Sequence, residues 1–364
     1  MTPSTFRSLV VLFGGVLLGV LAYGVYAFVS SDGSDQPEAI VTTTTAPILT
    51  TMTSRPTTTT TVPTMTTATW PPKETLIIQG VGDVNLDPNY ISALAANGYA
   101  YAWQGLDGFF LQDDLTVINL ECAPSDIGVA EAKAFVFRCP AESLLPLAPA
   151  GVEVASLANN HGGDYGKEAL VDGRDNLISA GVSPVGAGRN VDEAGQPAIF
   201  EVKGWRVAVL GFGGVYPTTN WFATDTQAGM RDGDDIASMV AAVTAAKEIA
   251  DIVVVTIHWG VELDTQPRPD DVARAEALIE AGADIIFGHH PHRLQPWEMV
   301  DGSAVFWSLG NFVWPKLSVA GATTGVARAV VHPDGSIEAC LIPAFIESPG
   351  QPVLTGEPEC GPQR

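Results

Sequence analysis

The chain has 364 residues, and its 41 acidic residues outnumber its 18 basic residues to give a formal charge of −23 at pH 7. Because lysine and arginine are scarce and form no cluster, the composition disfavours binding to a nucleic-acid backbone. A negative surface also repels anionic ligands at long range, so such a ligand would need local positive charge, which a metal ion supplies compactly.

The first 73 residues divide into an apolar segment and a polar segment. Residues 8–29 carry no charge over 22 positions, which at about 1.5 Å per helical residue spans a hydrocarbon core of about 30 Å. Two interpretations fit this segment: an uncleaved anchor, or a signal peptide, whose apolar core usually has about 7–15 residues. Because the segment is longer and lacks a clear cleavage site, we predict a single-pass membrane anchor over residues 1–29, with the rest of the chain extracytoplasmic. The threonine- and proline-rich residues 30–73 predict a disordered linker.

Residues 74–345 alternate strand and helix patterns, and we predict that they form one α/β domain followed by a tail over residues 346–364. The first three apolar, β-branched runs stop on polar residues that can act as ligands. They end at Asp83, at Glu121, and at Asn159, Asn160 and His161. The spacing of apolar residues predicts helices over 88–98, 141–151 and 167–181.

The second half continues the alternation. A hairpin is predicted about Lys203 and Gly204, followed by a helix over 234–250 and a strand over 252–260. Further elements are a helix over 269–282, a strand over 284–292 and a strand-rich region over 304–344. This order predicts two β-sheets packed face to face and flanked by helices.

The polar residues at the predicted strand ends form a candidate metal site. They are Asp83, Asn85, Glu121, Asn159, Asn160, His161, His258, His290 and His292. Carboxylate, amide oxygen and imidazole together are typical ligands of divalent Mn, Fe or Zn. Two ions about 3.5–4 Å apart and bridged by one carboxylate would use most of these residues and would activate a water molecule.

Four cysteines, Cys122, Cys139, Cys340 and Cys360, match no zinc-ribbon or redox spacing. In an oxidising compartment two disulfides would form, and the pairing of near neighbours, Cys122 with Cys139 and Cys340 with Cys360, is one of three connectivities. Four free thiols are the alternative.

Seven stretches carry a resemblance to a known family: "GVGDVNLD", "INLECAPSD", "SLANNHGGDYG", "GAGRNVDEA", "VTIHWGVE", "GADIIFGHHPHRLQ" and "SLGNF". In this order they resemble the CapA family, the capsule synthesis proteins of poly-γ-glutamate-producing bacteria. The resemblance implies the calcineurin-like metallophosphoesterase fold, a four-layer sandwich of two sheets between helices.

The resemblance also implies individual roles. Asp83 would bind the first metal, Glu121 would bridge the two, and Asn160 and His258 would bind the second. His290 and His292 would give one imidazole to each ion, and His289 would be structural. Two departures from the common phosphatase pattern, Asn85 in place of histidine and Glu121 in place of aspartate, weaken the expectation of ordinary phosphatase activity.

Further residues have a functional and a structural interpretation. His161 is predicted to give a proton to the leaving group, with Asp164 fixing its tautomer; alternatively it caps a helix or binds a backbone carbonyl. Lys133 and Arg138 would bind an anionic substrate, unless they are solvated surface residues. Asn311 would contact substrate or a water molecule, or would only support its turn.

The function implied is that of a membrane-anchored, CapA-like protein in the synthesis, export or anchoring of an anionic capsule polymer such as poly-γ-glutamate. Its partners would be the membrane, that polymer and other capsule synthesis membrane proteins, and nucleic acid is excluded. Two divalent ions would support hydrolysis of a phosphoester or a γ-glutamyl amide. The alternative is a metal-stabilised scaffold of a polymer export complex without turnover.

Overall fold

The structure, a computed structural model, describes residues 70–361. The predicted anchor over residues 1–29 and nearly all of the predicted linker lie outside the described residues. Between residues 70 and 361, every helix is too short or too polar to cross a bilayer.

Strands and helices alternate along the described chain. The strands are β1 (Leu76–Val84), β2 (Leu115–Leu120), β3 (Val154–Ser156), β4 (Ser183–Val185), β5 (Ala187–Gly188), β6 (Ala198–Val202), β7 (Trp205–Gly213), β8 (Gly229–Met230), β9 (Ile252–His258), β10 (Ile285–His289), β11 (Trp297–Val300), β12 (Ser303–Phe306), β13 (Asn311–Val313), β14 (Thr323–Val331), β15 (Ile337–Ser348), β16 (Gln351–Leu354) and β17 (Glu359–Cys360). The α-helices are α1 (Ser92–Asn97), α2 (Tyr101–Gln104), α3 (Lys167–Ser179), α4 (Val191–Ala194), α5 (Ile236–Ile249), α6 (Pro269–Glu280) and α7 (Val319–Ala322). Short 3₁₀ turns cover Phe109–Gln112, Ala141–Leu144, Ala148–Ala150 and Thr219–Trp221.

Two large sheets form the centre of the fold. The first has the order β16-β15-β14-β1-β2-β3-β4, with β13 also pairing with β1 and β17 with β15. The second has the order β11-β12-β10-β9-β7-β6, and β5 and β8 form a small separate sheet. Strands β1 to β4 run parallel in the first sheet, and β7, β9, β10 and β12 run parallel in the second.

Apolar side chains hold the layers together. Val117 of β2 and Val254 of β9 belong to one buried cluster, so the two sheets pack face to face. The outer face of the first sheet packs against residues such as Leu170 of α3, and that of the second packs against Met239 of α5 and Leu278 of α6. Removing these faces from water stabilises the fold by about 25 cal/mol per Å² of apolar surface. The predicted arrangement of two packed sheets flanked by helices is confirmed.

One glycine permits the close approach of β1 and β13. A β-carbon at Gly82 would lie 2.1 Å from the carbonyl oxygen of Gly310. Any larger residue would therefore separate the two strands, which place Asp83 opposite Asn311.

The predicted hairpin is confirmed: β6 and β7 pair up to Val202 and Trp205, and the turn residues Lys203 and Gly204 have φ of 48° and 77°. The predicted helix over 141–151 is wrong, because two separate 3₁₀ turns occupy this stretch. Its prolines, Pro146 and Pro149, lack the N–H groups that a continuous helix needs. Beyond residue 345, in the predicted tail, β16 and β17 pair with β15.

Both local disulfides are present. Cys122 bonds to Cys139, and Cys340 bonds to Cys360. The first bond closes the loop over residues 123–138 at its base, where Ala123 and Arg138 also form a backbone bridge. The near-neighbour pairing is therefore confirmed over the alternative of free thiols.

Candidate metal centre

Strands of both sheets deliver polar side chains to one edge. Asp83 is the penultimate residue of β1, Glu121 directly follows β2, and His258 ends β9. Asp83 lies opposite Asn311 of β13, and His258 lies opposite His289 of β10. The carboxyl ends of parallel strands meet here, which is where open α/β sheets bind ligands.

Glu121 belongs to two clusters of metal-ligating groups. One cluster joins Glu121 to His258 and His290, and the other joins it to Asp83 and His292. In each cluster the ligand atoms lie within 4.8 Å of one another. Oε1 of Glu121 lies 3.7 Å from Nε2 of His258 and 3.7 Å from Nε2 of His292. One carboxylate thus lies between two groups of candidate ligands, as a bridging ligand must.

Several buried atoms in these clusters lack the partners that buried polar groups normally have. Glu121 and Asp83 are fully buried. Within residues 70–361, both Glu121 oxygens and Nδ1 of His290 have no hydrogen-bond partner. Oδ2 of Asp83 has only a contact of 3.0 Å with Nδ1 of His292, a nitrogen that also lies 2.8 Å from Oδ1 of Asn311. Each unsatisfied group costs about 1–3 kcal/mol. Divalent cations would satisfy these groups, and the donor set suits Mn, Fe or Zn. The residues present therefore fit a resident divalent metal.

Burial sets the charge states of the clusters. It raises the pKa of Glu121 well above its usual value, and the neighbouring Asp83 raises it further. Burial also acts to raise the pKa of Asp83, but the hydrogen bond and charge of His292 outweigh it and lower that pKa. The pKa of His290 falls to about 4 through burial, and that of His258 falls well below its usual value for the same reason. Both imidazoles are therefore neutral at pH 7, the form that binds metal.

The histidines after β10 occupy a strained turn around Pro291. His290 has φ of 96° and His292 has φ of 53°, in the left-handed region that non-glycine residues rarely adopt. Each such conformation costs on the order of 1–3 kcal/mol and persists where the surroundings require it. This turn directs the two rings to within 6.0 Å of each other between their centroids.

Asn311 orients His292. Its Nδ2 donates to the carbonyl oxygen of Gly321 at 2.9 Å, so its Oδ1 is the atom that lies 2.8 Å from Nδ1 of His292. Nδ1 must then carry the proton, and Nε2 faces Glu121 with a free lone pair. Asn311, predicted to contact substrate or to support its turn, here contacts a candidate ligand directly.

Asn160 and His258, the predicted ligands of the second metal, lie next to each other, whereas Asn85 is directed elsewhere. Nε2 of His258 lies 2.9 Å from Oδ1 of Asn160. Asn85 is buried, its Oδ1 accepts from the backbone N–H of Asp87, and its Nδ2 lacks a partner among the described residues. Asn85 therefore directs its amide oxygen to its own turn.

Two asparagines behind the ligands form a supporting network. Asn119 donates from Nδ2 to Oδ1 of Asp83 at 2.9 Å, and the same nitrogen lies 3.2 Å from Nδ1 of His258. Asn159 donates to Oδ1 of Asn119 and accepts from the backbone N–H of His161. The sequence interpretation missed Asn119. A polar residue inside the wholly buried strand β2 was the available signal.

His289 is structural, as predicted. Its ring is buried, with Nε2 3.0 Å from the carbonyl oxygen of Val81 and Nδ1 3.4 Å from the hydroxyl of Thr256. It links β10 to β1 and contacts neither cluster through these atoms.

His161 forms a chain with Asp164 and Lys133. Nδ1 of His161 lies 2.7 Å from Oδ2 of Asp164, and Nζ of Lys133 donates to Oδ1 of Asp164 at 2.5 Å. Lys133 also donates to the carbonyl oxygen of Asn160 and lies 3.3 Å from Nδ1 of His161. Burial lowers the pKa of His161, Asp164 opposes this shift, and Lys133 adds to it. Lys133, predicted to bind substrate, thus contacts the proposed proton donor and its carboxylate.

Arg138 lies at the base of the same loop. Its guanidinium donates to the carbonyl oxygens of Asp126, Ile127 and Gly128 and stacks over the ring of Tyr165 at 3.7 Å. These contacts hold the loop and use none of the predicted ligands.

A cleft of about 210 Å³ opens over the clusters. His161, His292 and Asn311 line it, together with aromatic residues such as Trp314. A molecule in this cleft would touch the candidate proton donor and a candidate metal ligand at once.

Comparison with known proteins places the chain in a family. Residues 78–316, more than half of the chain, match the family described as bacterial capsule synthesis protein PGA_cap. The chain belongs to this family. The matched region contains every candidate ligand and the chain of His161, Asp164 and Lys133.

Two relatives from Bacillus are similar over part of the chain. The capsule biosynthesis protein CapA of Bacillus anthracis is 39% identical over 178 residues, covering 48% of this chain and 43% of the relative. The PGA biosynthesis protein CapA of Bacillus subtilis is 37% identical over 176 residues, covering 48% and 46%. The alignments thus span less than half of either relative. Among solved structures, a 5′-nucleotidase from Candida albicans aligns with a TM-score of 0.45 and 13% identity over 74% of this chain and 52% of the other.

Replacing either His290 or His292 should remove one of the two ions. Because His290 and His292 fall in different clusters, His290→Ala or His292→Ala should lower the bound metal from about two towards about one per chain. Elemental analysis after equilibration with Mn²⁺ measures this. His332→Ala, at a histidine whose side chain is 41% exposed and which belongs to neither cluster, is the control and should change nothing; equal losses in all three variants would contradict the assignment.

Proposed function

We propose that this protein is a two-metal hydrolase acting on an anionic polymer of the cell envelope, or on its precursor, during capsule synthesis, export or anchoring. The single observation that supports turnover best is Glu121, a fully buried carboxylate shared by two clusters of ligands. A structural site for one ion needs no shared carboxylate, whereas a two-metal site does.

The chain's own residues define the roles. Asp83 and His292 would hold one ion, His258, His290 and Asn160 the other, and Glu121 both. Divalent ions there would supply a nucleophile from water at neutral pH and would withdraw charge from the scissile centre. Asn119 and Asn311 fix the orientation of the ligands, so little reorganisation is needed when substrate binds.

His161 is proposed to donate the proton to the leaving group. Asp164 occupies Nδ1, so Nε2 is the nitrogen available to a substrate in the cleft. Asp164 itself is fully buried, and the backbone N–H of Phe137 and the ammonium of Lys133 hold its two oxygens. Asp164 is therefore fixed in position, and it in turn fixes the orientation of the His161 imidazole.

Lys133 acts as a positioning residue in this proposal. Lys133→Met removes the charge that opposes protonation of His161, which becomes a weaker acid, and frees one oxygen of Asp164. Because the pKa of His161 lies below its usual value, raising it enlarges the imidazolium fraction near pH 7. Turnover of substrates with poor leaving groups should therefore extend to higher pH in Lys133→Met than in the wild type, as a pH profile of kcat/KM measures.

The control for Lys133 is Lys247→Met. Lys247 has the same kind of partners, a carboxylate and a backbone carbonyl, but contacts none of the site residues. Metal content should be unchanged in both variants. A Lys133→Met enzyme that loses affinity for substrate at an unchanged kcat would show that Lys133 binds substrate instead.

We further propose that the domain lies outside the cytoplasm, held by a membrane anchor over residues 8–29. Two disulfides within one domain support an oxidising compartment. The polymer, poly-γ-glutamate or a related anionic chain, is proposed because the similar Bacillus proteins are named for capsule and PGA biosynthesis.

The test is metal analysis of the full chain, followed by a screen of the Mn²⁺-, Fe²⁺- and Zn²⁺-loaded protein against phosphoesters and γ-glutamyl peptides. We expect two ions per chain and turnover of one substrate class. Two ions without turnover of any member of the screen would favour the scaffold, and absence of bound metal would overturn both.

A further inference from the structure

Three exposed apolar side chains line the cleft over the metal clusters, together with the charged Glu262 and Arg293. Phe135, Leu263 and Leu317 form the mouth of this cleft and are 65%, 59% and 73% exposed. They come from three separate segments: the loop over 123–138, the loop after β9 and the loop after β13. Single exposed apolar residues are ordinary, but their convergence on one opening indicates a binding surface.

The wall below this mouth is aromatic. The ring of Trp314 packs 5.8 Å from that of Phe137, 5.7 Å from that of Tyr90 and 4.6 Å from that of His292, between centroids. These side chains line the same cleft. An apolar path thus leads from solvent to a candidate metal ligand.

The backbone of Leu263 adopts an unfavourable conformation that places its side chain at the mouth. Leu263 has φ of 69°, which is unfavourable for leucine. Its N–H donates to the carbonyl oxygen of Pro291 at 2.8 Å, in the turn that carries His290 and His292. The loop is therefore fixed to the metal-binding turn, with an apolar side chain held towards solvent.

Polar groups line the same cleft. They include His161, His292 and Arg293, and Arg293 donates to the carbonyl oxygen of His292 at 2.7 Å. A ligand that matches the apolar residues and the candidate metal ligand has a hydrocarbon chain and an anionic head.

We propose that the mouth is a subsite for the hydrocarbon chain of an amphiphilic phosphomonoester, with the phosphoryl head at the metal clusters. This inference rests on the proposed function for the head group and adds the chemical class of the rest of the substrate. A lipid of the bilayer is one source of such a molecule and a soluble amphiphile is another.

The experiment uses the full chain in phosphatidylcholine nanodiscs, loaded with Mn²⁺, and non-hydrolysable methyl-, butyl- and hexylphosphonate. Calorimetric affinity should rise about two- to fourfold for each added methylene, the range expected from partial to full burial of that group. Empty nanodiscs correct for partition into lipid. An affinity independent of chain length would overturn the subsite.

The variant Leu263→Asn with Leu317→Ser should flatten this dependence and leave the affinity for methylphosphonate unchanged. Asparagine adopts positive φ more readily than leucine, so the melting temperature should not fall. Leu111→Ser removes an equally exposed leucine, 64% exposed and outside the cleft, and should retain the full dependence. If Leu111→Ser flattens it as well, the effect is not due to the mouth.

Two further arms separate the alternatives. Phosphatidic acid placed in the same nanodisc should compete with hexylphosphonate if the source is a lipid, whereas phosphatidylglycerol at equal charge should not; competition by neither assigns the subsite to a soluble amphiphile. Removing Mn²⁺ should abolish methylphosphonate binding. A chain-length dependence that persists without any metal-dependent binding would retain the subsite and overturn the proposed function.

Discussion

Glu121→Gln should remove both bound ions and reduce turnover below detection. An amide oxygen is neutral and bridges two cations far more weakly than a carboxylate does, so both clusters lose the charge of their shared ligand. In the absence of metal, the substitution should stabilise the fold, because the variant no longer buries a carboxylate that has no partner among residues 70–361. We expect the metal-free variant to melt about 2–5 °C above the metal-free wild type. Addition of Mn²⁺ should then raise the melting temperature of the wild type only.

Glu153→Gln is the matched control for Glu121. Burial raises the pKa of Glu153 as well, but one of its oxygens accepts from the backbone N–H of Thr116 and it belongs to neither cluster. This variant should keep two ions and full turnover. If Glu121→Gln also keeps two ions, the clusters are held by other ligands and the shared-carboxylate interpretation is wrong.

The sequence predicted local structure well where each element carries its own pattern. Apolar runs ending in ligand-type residues located β1, β2 and β9, and the Lys203-Gly204 turn located its hairpin. It failed over 141–151, where helical spacing of apolar residues competed with prolines and the prolines prevailed.

Long-range relations were harder to predict. The strand-rich region over 304–344 sends β12 to the second sheet and β13 to the first, a crossing of four residues that brings Asn311 opposite Asp83. No periodicity in the segment encodes this exchange, because each strand is buried along its whole length. The strand ends supplied the candidate ligands, but only the resemblance assigned each ligand to one ion, because their grouping is a property of the assembled sheets.

The supporting residues depended most on three-dimensional contacts. Lys133 lies in a loop with no regular pattern. The disulfide between Cys122 and Cys139 closes this loop, and backbone hydrogen bonds from Glu131 and Phe137 bring it to Asp164. The sequence predicted the same role, binding of an anionic substrate, for Lys133 and Arg138. In the structure Lys133 joins the proposed proton donor while Arg138 holds backbone carbonyls.

His161→Ala should separate chemistry from metal binding. His161 contacts Asp164 and the ring of Phe137, and it lies in neither cluster of candidate ligands. Both ions should therefore remain. Turnover of a substrate with a poor leaving group should fall about 10²–10⁴-fold, the usual contribution of general acid catalysis, while a substrate with a good leaving group should lose much less. Metal analysis and a series of esters that differ only in leaving-group pKa measure the two effects.

His161→Gln is the control for packing against Phe137, because it keeps a similar volume without a titratable proton. It should match His161→Ala in the leaving-group series and the wild type in melting temperature. Loss of metal from both variants would make His161 a ligand and not a proton donor. If neither variant changes metal content, turnover or polymer production in cells, the metal site supports a scaffold, since a scaffold does not need a proton donor at this position.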